Sequence, residues 1–175
     1  MLVVGMTGVK MGERLVQIGC AHGGRLGAVA RRVGLSGRAV AIVPDQASAA
    51  RATKGAAQAG VLVEVETASP THVPAENAAF DVAVVDDTDG FLGGMSADDR
   101  AATIREALRI LRPGGRLMVV GSAKPSGFAA RLAQTRRRPS FDAVPALQAN
   151  GFKSVRTLAE REGFVFVEGI KPRQV

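Results

Sequence analysis

The segment RLVQIGCAHGG, residues 14–24, carries the clearest structural signal in this chain. It begins as an apolar run typical of a buried strand and changes abruptly into glycine and other small residues. The residues after it, Leu26, Val29, Ala30 and Val33, have the spacing of one helical face. A strand that turns sharply into a helix is the opening of a βαβ unit, so the sequence predicts a mainly parallel sheet.

The same alternation of strand and helix continues along the chain. Asp45 and Gly60 flank an alanine-rich helical segment, and the capping-box pair Ser96 and Asp99 precedes a second helical pattern. Pro113–Gly115 ends that second helix, and a linker with a further helix is predicted within residues 126–150. Runs typical of strands lie at residues 14–19, 38–43, 61–67, 80–86 and 116–121.

Two more strands are predicted at the end of the chain, at residues 155–160 and 164–171. Only Arg161, Glu162 and Gly163 separate them, whereas a parallel crossover needs a dozen or more residues. These strands must therefore be antiparallel neighbours. The sequence predicts a three-layer αβα fold of the α/β class. Its seven-stranded, mostly parallel sheet ends in this antiparallel pair, and residues 1–175 form one domain.

Composition limits the functional class. The chain has 175 residues, a mass of 18.1 kDa, 46% hydrophobic residues and 22% charged residues, as expected of one globular domain. Cys20 is the only cysteine, which excludes an intrachain disulfide and a cysteine-based metal cluster. The start, MLVVGMTGVK, lacks the pattern of a secretory signal, and no run approaches the length of a membrane span. We therefore expect a cytoplasmic protein.

The balance of charge is basic, with 23 Lys and Arg against 16 Asp and Glu and a net charge of +7. This charge allows an anionic partner but does not identify one. The basic residues are scattered, and Arg136–Arg138 is the one dense run, for which a solvated surface is the favoured interpretation. Aromatic residues make up 4% of the chain, with no Trp or Tyr, so stacking platforms for nucleic acid are not expected.

The order of elements resembles that of class I S-adenosylmethionine-dependent methyltransferases from Gly12 to about Lys171. The resemblance implies a Rossmann-like methyltransferase fold, S-adenosylmethionine as cofactor and methyl transfer as the activity. It also implies a site between the first and fourth strands, at Gly19–Gly24 and Asp86–Asp89. Four segments carry the resemblance, the last being the most specific: LVQIGCAHGG (15–24), AIVPDQASAARA (41–52), FDVAVVDD (80–87) and IREALRILRPGGRLMVVG (104–121).

The resemblance also implies which residues bind the cofactor. Small residues at the first turn let the backbone approach a ligand and let the helix pack on the sheet. In this chain Ala21 stands where the family has its middle glycine. The cofactor-binding positions are then Gln17, Gly19, Cys20, Ala21, Gly23, Val43, Asp45 and Asp86.

Several of these positions depart from the family pattern. Gln17 and Val43 stand where the family has acidic residues, and Ser69 or His72 occupies the region of a third acid. Hydrogen bonds to charged groups are the stronger ones, so these departures predict weaker cofactor binding. Asp45 has two interpretations that the sequence leaves open, a replacement acceptor for the ribose hydroxyls and a helix N-cap.

Other chemistry-bearing residues have ordinary structural interpretations. Asp86, Asp87 and Asp89 follow the fourth strand, but their spacing matches no EF-hand or histidine–carboxylate metal site, so no metal is predicted. His22 is either a base near the cleft or a filler of the turn, and Cys20 is favoured as an apolar filler over a nucleophile. The sequence assigns no catalytic residue.

Three functions stay open at this point. The first is methyl transfer to a small-molecule acceptor, because the Asn-Pro-Pro-aromatic and Pro-Cys motifs of nucleic-acid methylases are absent. The second is a non-catalytic protein on a methyltransferase scaffold, such as an assembly or binding subunit, which the missing acids favour. The third, a nicotinamide-binding domain, is disfavoured because a chain without Tyr cannot carry the Tyr-x-x-x-Lys motif of short-chain dehydrogenases.

Overall fold

The computed structural model describes residues 2–123 and 141–173. The described strands form one sheet in the order β3-β2-β1-β4-β5-β7-β6. Strands β1 to β5 are parallel, and β7 lies between β5 and β6 and is antiparallel to both. The predicted fold class is confirmed, including the antiparallel C-terminal pair. The strands are β1 (Arg14–Ile18), β2 (Arg38–Val43), β3 (Glu64–Thr67), β4 (Phe80–Asp87), β5 (Leu111–Ser122), β6 (Lys153–Arg161) and β7 (Phe164–Ile170).

Helices cover both faces of the sheet because the central strands are apolar on both sides. On one face, residues such as Val85 and Val119 pack with Ile104 and Leu147, which belong to α4 and α5. On the other face, Val84 belongs to a cluster with Val29 and Ala30 of α2, and apolar residues of α1 pack against this cluster. The described helices are α1 (Leu2–Thr7), α2 (Gly23–Ala30), α3 (Gln46–Ala59), α4 (Ala97–Ile110) and α5 (Ala143–Ala149), with a 3-10 turn at Arg31–Val33.

Some element boundaries differ from the sequence prediction. Strand β3 starts at Glu64 rather than Val61, because the Val61 N–H donates to Ala56 at the end of α3 and stays out of the ladder. Helix α4 ends at Ile110, and Leu111 already pairs with Phe80, with a register shift before Val82. The Pro113–Gly115 turn therefore lies inside β5 as a local irregularity of the ladder, rather than between the helix and the strand.

The two ends of the chain also differ from expectation. Helix α1 was not predicted; its half-buried apolar residues pack against the cluster that contains Val84 and Met118. Within the linker and helix predicted at 126–150, the described residues form α5, Ala143–Ala149. Residues 124–140, with the basic run Arg136–Arg138, lie outside the described residues. The extent of the domain over residues 1–175 stays a prediction.

This topology places the functional candidates at one edge of the sheet. The strands β1, β2 and β4 are adjacent and parallel, so their carboxyl ends meet, and we call this side the carboxyl edge. The chain leaves β1 for β2 on one side and reaches β4 on the other, which makes β1/β4 the switch point of the sheet. Ligands of open α/β sheets bind at such a point. The opposite side is the amino edge.

Candidate functional site

The turn after β1 is fixed by hydrogen bonds from two directions. Gly19 has a φ of 79°, a conformation that glycine adopts without steric cost. Its N–H donates to the Ile42 carbonyl at 2.8 Å, which ties the turn to the end of β2. Gln17 is 2% exposed, and its Nε2 donates to the Gly19 carbonyl at 3.1 Å. Gln17 therefore holds the shape of the turn, and its contact with a cofactor stays a prediction.

Gly23 is required by the packing of α2 on α3. A Cβ atom at this position would lie 2.1 Å from the Arg51 carbonyl oxygen and 3.3 Å from the Cα of Gly55. Gly24 is different, because a Cβ there would meet only the exposed side chain of His22, at 3.1 Å. Packing of α2 on α3 thus requires glycine at position 23, whereas the contact at position 24 does not require one.

Phe91, in the loop after β4, covers the first glycine of the turn. A Cβ atom built on Gly19 would lie 3.2 Å from Cδ1 of the Phe91 ring. The ring is half-buried and packs against the core between the sheet and α4. No periodicity or motif in the sequence marks Phe91, so the sequence analysis missed it.

Cys20 and Val43 belong to a small apolar cluster beneath the turn. They pack with Leu26, Ala41 and Ala52 between β2 and the helices α2 and α3. Burial raises the pKa of the Cys20 thiol to about 11, and the charge of Asp86 adds to this effect. The thiol is therefore neutral at physiological pH, which fits the interpretation of Cys20 as a filler. Val43 is 0% exposed at the position of the family's ribose-binding acid, and its contact with a cofactor stays a prediction.

Asp45 is the N-cap of α3. Its carboxylate accepts a hydrogen bond from the Ser48 N–H at 2.7 Å, and this bond lowers its pKa. The N-cap interpretation of Asp45 is confirmed. Asp45 is also exposed at the carboxyl edge, next to the end of β2. Its role toward a ribose stays a prediction.

Asp86 is buried and neutralised within the chain. The Arg25 side chain, from the first turn of α2, donates through Nε at 3.1 Å and Nη2 at 3.0 Å to the Asp86 carboxylate. The same guanidinium donates to the Thr88 hydroxyl and lies 5.7 Å from the centre of the Phe164 ring. Arg25 joins the glycine turn, the end of β4 and the start of β7. Sequence reasoning missed this residue, although an arginine directly after a glycine turn could have been a signal.

Asp87 holds the loop that follows β4. Its Oδ1 accepts hydrogen bonds from the N–H groups of Leu92 and Gly93, the second at 3.2 Å. Burial raises the pKa of Asp87 to about 6; the two N–H donors oppose this shift, and the charges of Asp89 and Asp86 add to it. Asp87 is 8% exposed, so its carboxyl group supports the loop from below rather than facing solvent.

The remaining candidates are exposed or lie apart from the turn. His22 and Asp89 are exposed at the carboxyl edge, and Ala21 is half-buried beside them. Ser69 bonds to Thr71 at 2.8 Å within the loop after β3. Within residues 2–123 and 141–173 there is no group of three His, Cys, Asp or Glu side chains arranged to hold a metal ion. In the same residues, no helix has the length and apolar character needed to cross a membrane.

Comparison with known proteins agrees with this architecture. A sequence model described as a methyltransferase domain matches residues 15–115, which include the glycine turn, β4 and α4. The chain belongs to the class I S-adenosylmethionine-dependent methyltransferase family. Membership in this family accounts for the strand order and for the position of the site candidates at the β1/β4 switch point.

Three proteins show what this chain is similar to in sequence or in fold. The ubiquinone/menaquinone biosynthesis C-methyltransferase of Idiomarina loihiensis is 27% identical over 159 residues, 88% of this chain and 61% of that protein. The structure of a SAM-dependent methyltransferase from Aquifex aeolicus has a TM-score of 0.79 at 18% identity, covering 97% of this chain and 88% of that one. The [4+2]-cyclase SpnF has a TM-score of 0.75 at 22% identity, covering 99% of this chain and 79% of that one.

The curated relatives are longer proteins. The chain spans 30%, 61% and 49% of the length of three of them. The structural likenesses, at 18% and 22% identity, show the fold alone.

Proposed function

We propose that this protein binds S-adenosylmethionine at the carboxyl edge and transfers its methyl group to a small-molecule acceptor. The observation that carries the proposal is the Gly19–Gly24 turn at the β1/β4 switch point. Gln17 and the end of β2 fix the shape of this turn through hydrogen bonds to Gly19. A rigid backbone turn at this point of an open sheet is the place where a nucleotide-like ligand approaches.

The backbone of the turn fits such a site, whereas the acidic side chains that usually contact the cofactor are missing or already paired. Backbone groups of the turn would hold the cofactor, and Asp45 lies beside them as the N-cap of α3. Val43 is buried, and Asp86 is paired with Arg25. S-adenosylmethionine, when bound, supplies an electrophilic methyl group on a sulfonium centre. The contribution of this chain would be to position the acceptor in line with that group, for which no dedicated base is required. We expect weaker cofactor binding than in relatives that carry the usual acids.

Two arguments support a small-molecule acceptor: the features of nucleic-acid methylases that the chain lacks, and the name of one relative. The chain lacks the motifs of nucleic-acid methylases and has no Trp or Tyr for base stacking. The Idiomarina relative is by its name a C-methyltransferase of ubiquinone and menaquinone biosynthesis, which supports a small-molecule acceptor. A cytoplasmic location remains part of this proposal.

Calorimetry tests the cofactor directly. S-adenosylmethionine and S-adenosylhomocysteine are titrated into the protein, with NAD as the control ligand for the nicotinamide alternative. Ala21→Leu adds bulk at the expected closest approach, and Ala57→Leu adds the same bulk on the exposed side of α3. We expect binding of both sulfur ligands to wild type and to Ala57→Leu, and at least a tenfold loss in Ala21→Leu. Heat with NAD alone, or none with any ligand, contradicts the proposal.

A second candidate function is a non-catalytic binding or assembly protein. Two observations favour it: the Phe91 ring lies over Gly19, and Arg25 neutralises the buried Asp86. The fold also carries other activities, as the likeness to a [4+2]-cyclase illustrates. Transfer of label from methyl-labelled S-adenosylmethionine to acceptor candidates separates the two functions, since a non-catalytic protein binds without turnover.

A further inference from the structure

The amino edge of the sheet carries an apolar patch that the proposed function does not use. Within the described residues, the exposed large apolar side chains are Met11, Leu35 and Leu62, at 78%, 101% and 89% exposure. Met11 precedes β1, Leu35 precedes β2 and Leu62 precedes β3. These three strands are adjacent in the order β3-β2-β1, so all three side chains lie at one end of neighbouring strands.

Contacts between the three loops place these side chains on one surface. A Cβ atom at Gly34 would lie 3.3 Å from Cγ of Met11, so Met11 lies directly beside the turn that carries Leu35. The Gly12 N–H donates to the Val33 carbonyl at 2.8 Å and holds these two loops together. On the other side, Nη2 of Arg31 donates to the Ala59 carbonyl at 2.8 Å, at the end of the helix that leads to Leu62.

Exposed cations lie in the same loops as two of these apolar side chains. Lys10 adjoins Met11, and Arg31 and Arg32 are exposed in the 3-10 turn directly before Leu35. Two acidic side chains of this edge are held by arginines. Glu13 pairs with Arg116, and Glu64 pairs with Arg38. We call this surface the amino-edge patch. It combines three exposed apolar side chains with three exposed cations: Met11, Leu35, Leu62, Lys10, Arg31 and Arg32.

We propose that the amino-edge patch docks this protein on the surface of an anionic lipid bilayer. Leu35 is as exposed as in an extended chain, so its side chain protrudes from the surface and lines no groove. A protruding aliphatic side chain enters the acyl boundary of a bilayer without needing a complementary pocket, while lysine and arginine contact anionic headgroups. Association with a second copy is disfavoured, because the same cations would face each other.

The proposed orientation separates docking from the candidate site. The patch lies at the amino ends of β1, β2 and β3, and the glycine turn lies at the carboxyl end of β1. A docked protein therefore presents the carboxyl edge away from the membrane. Docking and cofactor binding have independent readouts, and the failure of one leaves the other standing.

Vesicle flotation tests the docking surface. The whole chain is mixed with vesicles of equal parts phosphatidylglycerol and phosphatidylcholine, or of phosphatidylcholine alone. We expect flotation with the anionic vesicles that weakens as salt is raised. The triple variant Met11→Ser, Leu35→Ser, Leu62→Ser should bind at least about tenfold more weakly at equal charge.

A pair of charge variants supplies the matched control. Lys10→Gln with Arg32→Gln removes two cations of the amino-edge patch, and Arg156→Gln with Arg161→Gln removes two cations from β6 at the far side of the sheet. The first pair should weaken flotation at least about tenfold, and the second should change it less than threefold. Thermal unfolding of each variant verifies that the fold is kept, which is expected for exposed positions.

Several outcomes overturn the proposal. One is absence of binding to anionic vesicles at low salt, and another is equal binding by the triple serine variant. Equal loss in the two charge pairs would show attraction by net charge alone. Binding to single-stranded DNA or to polyglutamate without binding to vesicles would replace the membrane with another anionic partner. Dimerisation in solution that the triple serine variant abolishes would assign the patch to self-association.

Discussion

Asp81 and Asp87 stand near opposite ends of the same strand, β4; both accept from backbone N–H groups, and Asp81 is in addition paired with two arginines. At the amino edge, Asp81 accepts hydrogen bonds from Arg14 at 3.1 Å and Arg112 at 2.6 Å. At the carboxyl edge, Asp87 accepts from the backbone N–H groups of Leu92 and Gly93. One carboxylate neutralises exposed cations, while the other holds a loop beside the candidate site.

The two environments move the pKa of these groups in opposite directions. Burial favours the neutral form of Asp81, but the hydrogen bonds from Arg14 and Arg112 and the charge of Arg14 outweigh it and hold its pKa well below the usual range. Burial dominates at Asp87 and raises its pKa to about 6. Ionisation of Asp87, near the site, is therefore unfavourable relative to a carboxylate in water, whereas the arginine partners of Asp81 favour its ionised form.

The largest expected difference between the edges comes from removing an arginine. Arg25→Met leaves Asp86, whose side chain is 4% exposed, without its cationic partner, and we expect a loss of about 3 kcal/mol in unfolding free energy. Arg14→Met should cost about 1 kcal/mol or less, because Asp81 keeps Arg112 and the Arg14 side chain is 44% exposed. Urea unfolding of both variants measures the difference. Equal losses would show that burial does not distinguish the two pairs.

Two adjacent glycines of the turn provide the next comparison. Gly23→Ala places a methyl group 2.1 Å from the Arg51 carbonyl oxygen, and we expect it to lower the unfolding free energy by about 2–3 kcal/mol. Gly24→Ala should stay within about 1 kcal/mol of wild type, because the His22 side chain can move. Chemical denaturation tests both. A tolerated Gly23→Ala would mean that α2 and α3 separate easily.

The opposite pKa directions predict opposite pH dependence. The folded pKa of Asp87, about 6, lies above the unfolded value of 3.8, so the folded state binds more protons between them and stability falls as pH rises. The fall attributable to Asp87 between pH 3.8 and about 6 is roughly 3 kcal/mol. Asp87→Asn should remove this fall, because an amide does not titrate in this pH range. Its oxygen can still accept from the N–H groups of Leu92 and Gly93, so the loop should be kept.

Asp81 supplies the contrasting pH profile. Its folded pKa lies below the unfolded value of 3.8, so its contribution is present above that pH and is lost as the pH falls further. Asp81→Asn should therefore lower stability at neutral pH and flatten only the acid side of the profile. Unfolding curves over a series of pH values check both variants. If Asp87→Asn keeps the wild-type fall above pH 3.8, the carboxyl group is not the cause.

Much of the fold could be predicted because it rests on local patterns. The boundaries of β2 and the N-cap at Asp45 follow from apolar runs and capping residues, and the structure has them where the sequence predicts them. Helix α1 has no such signal, because its short β-branched sequence becomes helical only by packing on the sheet. The start of β3 depends on the hydrogen bond from Val61 to Ala56, which no local pattern marks.

The candidate site was predictable in position but not in its contacts. The glycine turn and the end of β4 meet at one edge because parallel strands bring their carboxyl ends together. Which partner each side chain takes depends on residues distant in sequence. Arg25 and Asp86 are separated by 61 positions, and Phe91 reaches Gly19 from another loop. Long-range contacts of this kind leave no periodicity to detect.

The smallest expected effect concerns Asp45, the exposed carboxylate of the carboxyl edge. Its cap bond to the Ser48 N–H at 2.7 Å is a role that serine also fulfils, whereas alanine does not. Asp45→Ala should lower Tm by roughly 2–4 °C, and Asp45→Ser should keep Tm close to wild type. Because the carboxylate already serves the cap, we expect Asp45→Ser to change the Kd for S-adenosylhomocysteine by less than threefold. Thermal unfolding and calorimetry measure the two effects separately. A tenfold rise in Kd at unchanged Tm would instead assign the carboxylate to the ribose, since a charge-assisted acceptor contributes about that much to binding.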